Sequence, residues 1–559
     1  MTPPSPSDPG AQPGASRRDP GIDDHDRTVV VDAGVGADPL ASGRELNRGV
    51  AVSAGAQMSA KGLHFVLNII STLAIIHYLD PGAYGQYVLV LTSTMLIGLL
   101  ADFGLTKLAT REVARDFDSE SQVLGTVLAA RIALAFVALG VVQVLLLVLG
   151  ATAEAHAAAA IASLMYVGEA VLVVVVVFHV RVLQQYEAFI RVGMETFETA
   201  LVLVLIARGA SLPMLFVAPA LATGIGAVVA VIVVRRRFGV RFEIDRTRVT
   251  YLMKEALPIG PSLFIAVCYL KLDALVLASF RPSREIGLYG SAYQPIEYAF
   301  LATAVVINVA FPLVSQSWGV DHERFVRLYR RGCEVLLGAM LLAPVLSMIV
   351  GPQVVTAIYG PDYAEAAEPL RILSFALVLM TLNGWQALVL LAAGRQRVAL
   401  AYNLAALAVA AVAAVSLVSW LGMRGAALAS LTTAVFVLCC STVAVGRLLD
   451  ARLELRSVAR LLAAAGALAL TLLGLDRIGV PWLALIALTF VIYPLWLLAV
   501  GVVKPSALRQ LRHPEAAVHG LGDLAHAEVA AEAQAELAEA AGTDPNVLDL
   551  TDLEPGVFT

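Results

Sequence analysis

IALAFVALGVVQVLLLVL, residues Ile132–Leu149, carries one polar side chain, Gln143, and no charge. A helix that crosses a bilayer needs about 20 mostly apolar residues. A soluble core helix would show a polar stripe along one face, and this run shows none. Val171–Val177 and Leu461–Leu475 are of the same kind. Over the whole chain 59% of residues are apolar and 15% charged, against roughly 45–50% and 25% in soluble domains. The expected class is all-α, a polytopic membrane protein.

Working outward from that run, apolar segments place fourteen helices. They fall at roughly 53–78, 84–106, 122–149, 157–180, 190–208, 212–234, 257–280, 290–314, 332–351, 369–392, 398–420, 425–447, 458–475 and 480–503. Gly, Pro and charge punctuate the gaps, as at Asp80-Pro81-Gly82 and Arg235-Arg236-Arg237. With an inside N-terminus, the inside loops hold 22 Lys/Arg and the outside loops 5, with Arg371 at a helix edge. That split follows the positive-inside rule, and one miscounted helix would scramble it. Both termini are therefore expected in the cytoplasm and the chain in the inner membrane.

The expected domains are a disordered tail (1–50), a six-helix bundle (51–235), a basic joint (236–256), a second six-helix bundle (257–448), two additional helices (449–504) and an acidic tail (505–559). Residues 1–50 carry a net charge of −3 and 505–559 of −8, so the body between them is net +6 inside an acidic chain. The first 50 residues lack a signal-type apolar run, so insertion is expected to begin at the first internal apolar segment. Ala525–Ala541 favours a marginal helix. Gly85-Gln86-Tyr87 and Gly287-Leu288-Tyr289 each open a helix after a short outside turn, a faint internal repeat. Transporters are often built from such duplicated halves. Cys268, Cys333, Cys439 and Cys440 show no metal or disulfide spacing. No metal, cofactor or nucleic acid is expected.

Ionisable groups at membrane depth are costly and usually line a cavity or pair with each other. Those of interest are Asp102, Arg131, Lys271, Asp273 and Glu297, with Lys61, His64, His77, Glu169 and His179 beside them. Lys271 and Asp273, two apart on one helix, point in nearly opposite directions and need other partners. Lys271 suits a phosphate and Asp273 a proton or cation; inter-helix salt bridges are the structural alternative. Glu297 is placed to pair with Lys271 or to line the path. Arg131 suits a diphosphate because guanidinium binds phosphate oxygens in pairs, or else it snorkels to the cytoplasm. Asp102 reads as a helix cap or a partner of Lys107 or Arg111.

Several segments, in order, carry a family resemblance. They are Tyr78-Leu-Asp-Pro-Gly-Ala-Tyr-Gly-Gln-Tyr, Ala101-Asp-Phe-Gly-Leu, Arg111-Glu-Val-Ala-Arg, Gly287-Leu-Tyr-Gly-Ser-Ala-Tyr, Tyr359-Gly-Pro-Asp-Tyr-Ala-Glu-Ala and Gly422-Met-Arg-Gly-Ala-Ala-Leu-Ala. Over about 50–503 the chain resembles the Wzx-type polysaccharide flippases of the multidrug/oligosaccharidyl-lipid/polysaccharide exporter superfamily. The resemblance implies two pseudosymmetric six-helix bundles around a central cavity, here with two additional helices. It implies alternating access for a polyprenyl-diphosphate-linked oligosaccharide, in company with polysaccharide-assembly membrane proteins. On that reading Arg131 and Lys271, one in each bundle, share the anionic headgroup.

Two other readings compete. A membrane polymerase or glycosyltransferase needs large outside loops or a folded domain carrying Asp-x-Asp. Here Asp24-His-Asp and Asp116-Phe-Asp lie in short polar segments, and the longest outside loop, 352–368, holds only Asp362, Glu365 and Glu368. A multidrug cation antiporter of the same superfamily would want buried carboxylates, whereas this body is net basic. No P-loop occurs to drive an ATP-powered pump. The expected function is a transporter, not an enzyme.

Overall fold

The computed structural model describes residues 60–181, 183–256 and 271–501. Both tails, Cys268 and the first half of the seventh predicted helix lie outside them. The described residues form sixteen helices. In the first half these are α1 (Ala60–Tyr78), α2 (Pro81–Asp102), α3 (Leu105–Arg115), α4 (Glu120–Val148), α5 (Ala153–Val180), α6 (Gln184–Ala207), α7 (Leu212–Phe238) and α8 (Arg246–Ala256). In the second half they are α9 (271–280), α10 (Ser283–Ser317), α11 (His322–Tyr359), α12 (Pro361–Ala392), α13 (Gln396–Leu421), α14 (Met423–Leu448), α15 (Leu455–Arg477) and α16 (Trp482–Ala499).

Eleven of these are long and apolar enough to cross a membrane. The helices α2 and α6, of 22 and 24 residues, have the length as well. With the ten described residues of α9, they follow the order of the fourteen helices read from the sequence. The two 11-residue helices α3 and α8 are amphipathic connectors on the arginine-rich end. The basic joint is not a loose tether. Its backbone at Glu243 donates to the Ser121 carbonyl at 3.1 Å, and Asp245 N donates to Thr126 Oγ1 at 3.0 Å. Gly125 makes that seat: a Cβ there would lie 2.3 Å from the Glu243 carbonyl oxygen.

The apolar cores divide unequally between the two ends. At the arginine-rich end each bundle has its own. One joins Leu105, Leu124, Phe178 and Val234; the other joins Phe325, Tyr329, Trp385 and Val445 and takes in α15 and α16. Toward the arginine-poor end one core spans both bundles, holding Ile76, Tyr84 and Leu215 together with Leu277, Tyr289 and Tyr363, beside a fourth within the first bundle that joins Val142, Leu146, Ala155 and Phe216. Tyr363 OH donates to the Leu79 carbonyl across this joint at 2.9 Å. The two bundles are thus closed on each other at one end and separately packed at the other.

Loops at Gly150, Pro282 and Gly360 fall at the arginine-poor end, and those at Gly239 and Arg395 at the other. Reporter fusions are expected to read outside at the first three positions and inside at the last two. Swapped signals at two of them would reject this orientation.

Candidate functional site

The closed end rests on two glycines. The helices α2 and α10 run side by side, and Gly85 and Gly287 face each other with no room for a side chain. A Cβ on Gly85 would lie 1.7 Å from the Ser283 carbonyl oxygen, and one on Gly287 1.9 Å from that of Pro81. Glycine lets two helix backbones approach closely enough for Cα–H···O contact. Gly85 and Gly287, like Pro81 and Ser283, are 202 positions apart. The contact is therefore reciprocal: each repeat contributes the same glycine and meets the same carbonyl. One turn deeper, a Cβ on Gly290 would strike Val88.

Further along, Tyr298 of α10 joins α1. Its hydroxyl lies 2.9 Å from both Asn68 Oδ1 and Thr72 Oγ1, and its ring meets Phe65 edge-on. Between these two contacts a small cavity of about 80 Å³ lies against both bundles, with Val88, Thr92 and Met95 on one side and Lys271, Tyr293 and Glu297 on the other. Lys271 Nζ pairs with Glu297 Oε2 at 3.2 Å and sits 4.6 Å from the centre of the Tyr293 ring. The pairing expected of Glu297 is there, and the cavity wall carries a neutralised pair rather than a free cation.

Asp273 is buried to 7% exposure. Its carboxylate accepts hydrogen bonds from Tyr289 OH at 2.5 Å, from the Ala274 backbone N–H at 2.7 Å, and from the Ser430 hydroxyl. Lys271, which needed a different partner, is turned to Glu297. Next to Asp273 is a cavity of about 40 Å³ that also receives Asn383, Ser430 and Thr433. Asn383 Oδ1 is buried and has no hydrogen-bond partner. A carboxylate and a free amide oxygen thus share a space sized for one small occupant.

Asp102 departs from expectation. Lys107 and Arg111 are its neighbours in sequence, but Arg131 is its ionic partner, at 3.3 Å. The chain reverses through Phe103 and Gly104, with φ of 49° and 79°, and carries α3 away. The expected cap on the inside end of α2 is not made either, because the free groups there are carbonyls; Asp102 accepts instead from Gly104 N at 3.2 Å and from the Thr106 hydroxyl, in the turn into α3. Arg111 goes instead to Glu112 and Glu255, each at 3.2 Å. Arg131 is 7% exposed, with its Nε unpartnered, and Glu169 adds to the negative field on it. Arg131 and Lys271 thus each have a carboxylate partner of their own, Asp102 and Glu297.

Other polar groups at membrane depth form a set that residue-by-residue reading missed. Glu187, Arg191, Glu195 and Glu198 recur at helical spacing along α6. Arg191 pairs with Glu187 at 2.8 Å, His179 meets Glu187 at 2.5 Å, and His64 of α1 meets Glu195 at 2.9 Å. The spacing was the available signal, since steps of four, four and three keep all four on one face.

A duplicated helical bundle, closed at one end and holding buried charge, is an architecture that many membrane transporters share. Solved structures of that class share the fold. The chain is similar to the lipid II flippase MurJ in an inward closed conformation, with a TM-score of 0.65 and 10% identity over 78% of this chain and 97% of that one. It is also similar to a multidrug resistance MATE family transporter of the MOP superfamily in an inward-facing conformation, with a TM-score of 0.56 and 16% identity over 71% and 98%. No curated protein matches the sequence. Within the class, residues 46–318 match the family of polysaccharide biosynthesis proteins, which bears out the resemblance read from the motifs.

Proposed function

We propose that the chain flips a polyprenyl-diphosphate-linked oligosaccharide from the cytoplasmic to the outer leaflet by alternating access, without enzymatic chemistry of its own. The observation that supports this best is the asymmetry of the cores. Of the four cores among the described residues, the one that joins the bundles lies toward the arginine-poor end and the other three each belong to one bundle, which supports a state closed outward and parted inward. By the positive-inside rule the parted end is cytoplasmic, the side on which a lipid-linked saccharide would enter. Two packed bodies joined toward one end rock rather than deform, because packed interiors are bistable. The Gly85–Gly287 contact is then the outer gate and Tyr298 with Asn68 a second latch beneath it.

Lys271 with Glu297 sits on the wall where the bundles meet. A diphosphate arriving there would compete with Glu297 for the ammonium, so recognition would be an exchange of partners. In the same reading Asp273 carries the coupling proton or small cation. The half-buried carboxylates of α6, Glu187, Glu195 and Glu198, favour a second reading, a cation antiporter. Deleting the gene separates the two. Flippase function is expected to give loss of surface polysaccharide with lipid-linked oligosaccharide held in the inner leaflet. Normal polysaccharide with raised sensitivity to cationic drugs would select the antiporter.

A further inference from the structure

A crevice of about 450 Å³ opens among α11, α12, α14 and α15, within the roughly 300–1,000 Å³ typical of ligand pockets. Its walls are hydrocarbon, including Leu337, Leu341, Val378, Leu382, Leu461 and Leu462. Its polar residues gather where α11 and α15 begin: Arg330, Glu334, Glu454 and Ser457. That end is the arginine-rich one.

The crevice is separate from the site described above. Along α12, Leu373, Ala376, Met380 and Asn383 line the Asp273 cavity, whereas Phe375, Val378, Leu379 and Leu382 line the crevice. At 100° per residue these sets lie on different faces of one helix. An occupant of the crevice is thus beside the translocation machinery rather than within it. Leu462 is 53% exposed and Leu455 78% exposed, so the slot opens sideways. Apolar walls give water no partners, and a void would forfeit dispersion contacts. Hydrocarbon from the bilayer fits both conditions.

The mouth specifies the headgroup. Arg330 uses its Nε to donate to the Arg452 carbonyl at 3.1 Å, two residues before Glu454, and both Arg330 and Glu454 line the crevice. Glu334 is 3.6 Å from Arg331, while Glu454 holds no ion pair among the described residues. A guanidinium and an unpaired carboxylate on the lining of one crevice complement a headgroup carrying both a phosphate and a primary ammonium. Guanidinium binds phosphate oxygens, and a primary ammonium supplies three donors that a quaternary one lacks. We propose that this crevice holds one resident aminophospholipid, with an acyl chain between the leucines, its phosphate at Arg330 and its ammonium at Glu454.

Native mass spectrometry of the full chain tests this with phosphatidylethanolamine, phosphatidylglycerol and phosphatidylcholine of equal chain length. Phosphatidylethanolamine is expected to be retained about fivefold better than either of the others. Glu454→Gln is expected to bring phosphatidylethanolamine down to the level of phosphatidylcholine and leave phosphatidylglycerol unchanged. Arg330→Gln should weaken all three, and Leu462→Trp, at a half-exposed position, should displace the chain. Equal retention of the three lipids by the wild-type protein overturns the proposal whether or not the variants fold. So does undiminished retention in a folded Leu462→Trp protein. Displacement of phosphatidylethanolamine by equimolar polyprenyl phosphate would give the crevice to the tail of the transported lipid and also overturn it.

Discussion

Gly85→Leu or Gly287→Leu is expected to cut polysaccharide export at least tenfold while leaving protein level in the membrane near normal. A leucine at either position needs space already held by a carbonyl oxygen of the partner helix, at 1.7 or 1.9 Å from the Cβ. That oxygen belongs to a helix backbone and cannot swing aside, so α2 and α10 must part. Overpacking of this kind costs about 1–3 kcal/mol or more, and each 1.4 kcal/mol shifts a two-state balance about tenfold. The cost falls on the outward-closed state, because the bundle cores at the other end are untouched by it. Disulfide formation in Pro81→Cys/Ser283→Cys reads the gate directly, and it should slow strongly when either leucine is added. Wild-type export together with undiminished cross-linking in Gly287→Leu would show that the contact is not a gate.

The repeat behind that contact was legible in the sequence, though not the contact itself, and for a physical reason. Gly85-Gln86-Tyr87 and Gly287-Leu288-Tyr289 repeat because two related halves meet at one place, and only glycine fits there. Helix number was legible too, since span length and loop charge are local quantities. The Lys271–Glu297 pair could be anticipated because adjacent helices joined by a short turn must pack. Asp102 could not be matched to Arg131. Its obvious partners lay within a few residues, and only the reversal at Phe103–Gly104 removed them. The surroundings of Asp273 were likewise hidden. Tyr289 and Ser430 lie 16 and 157 positions from it, and each is unremarkable in its own segment. Sequence marks a buried charge as costly; the donors that make it tolerable come from helix packing.

Asp273→Asn is the most informative single change at that buried site. It keeps the shape and most of the hydrogen bonds but removes the charge. Tyr289, Ser430 and the Ala274 backbone all donate to the carboxylate, so the native site is arranged around an acceptor. An amide nitrogen placed opposite those donors leaves one of them unmatched, a cost of about 1–3 kcal/mol. That is too little to unfold a protein with cores of this size. The functional cost should be larger. Ionisable groups in membrane helices are retained where they carry protons or ions, and here the Asn383 oxygen is free beside Asp273 in a cavity of about 40 Å³. Reconstituted Asp273→Asn protein is expected to lose at least tenfold in gradient-driven transport and to stop responding to the gradient. Imposing proton and sodium gradients separately on the wild-type protein identifies which ion is carried. Asn383→Leu, which removes the second oxygen but keeps the carboxylate, should weaken a sodium response more than a proton response, because a bare cation needs more than one ligand. If Asp273→Asn transports at the wild-type rate with the wild-type ion dependence, the coupling role of this carboxylate is wrong, and its hydrogen bonds serve only to hold α9, α10 and α14 together.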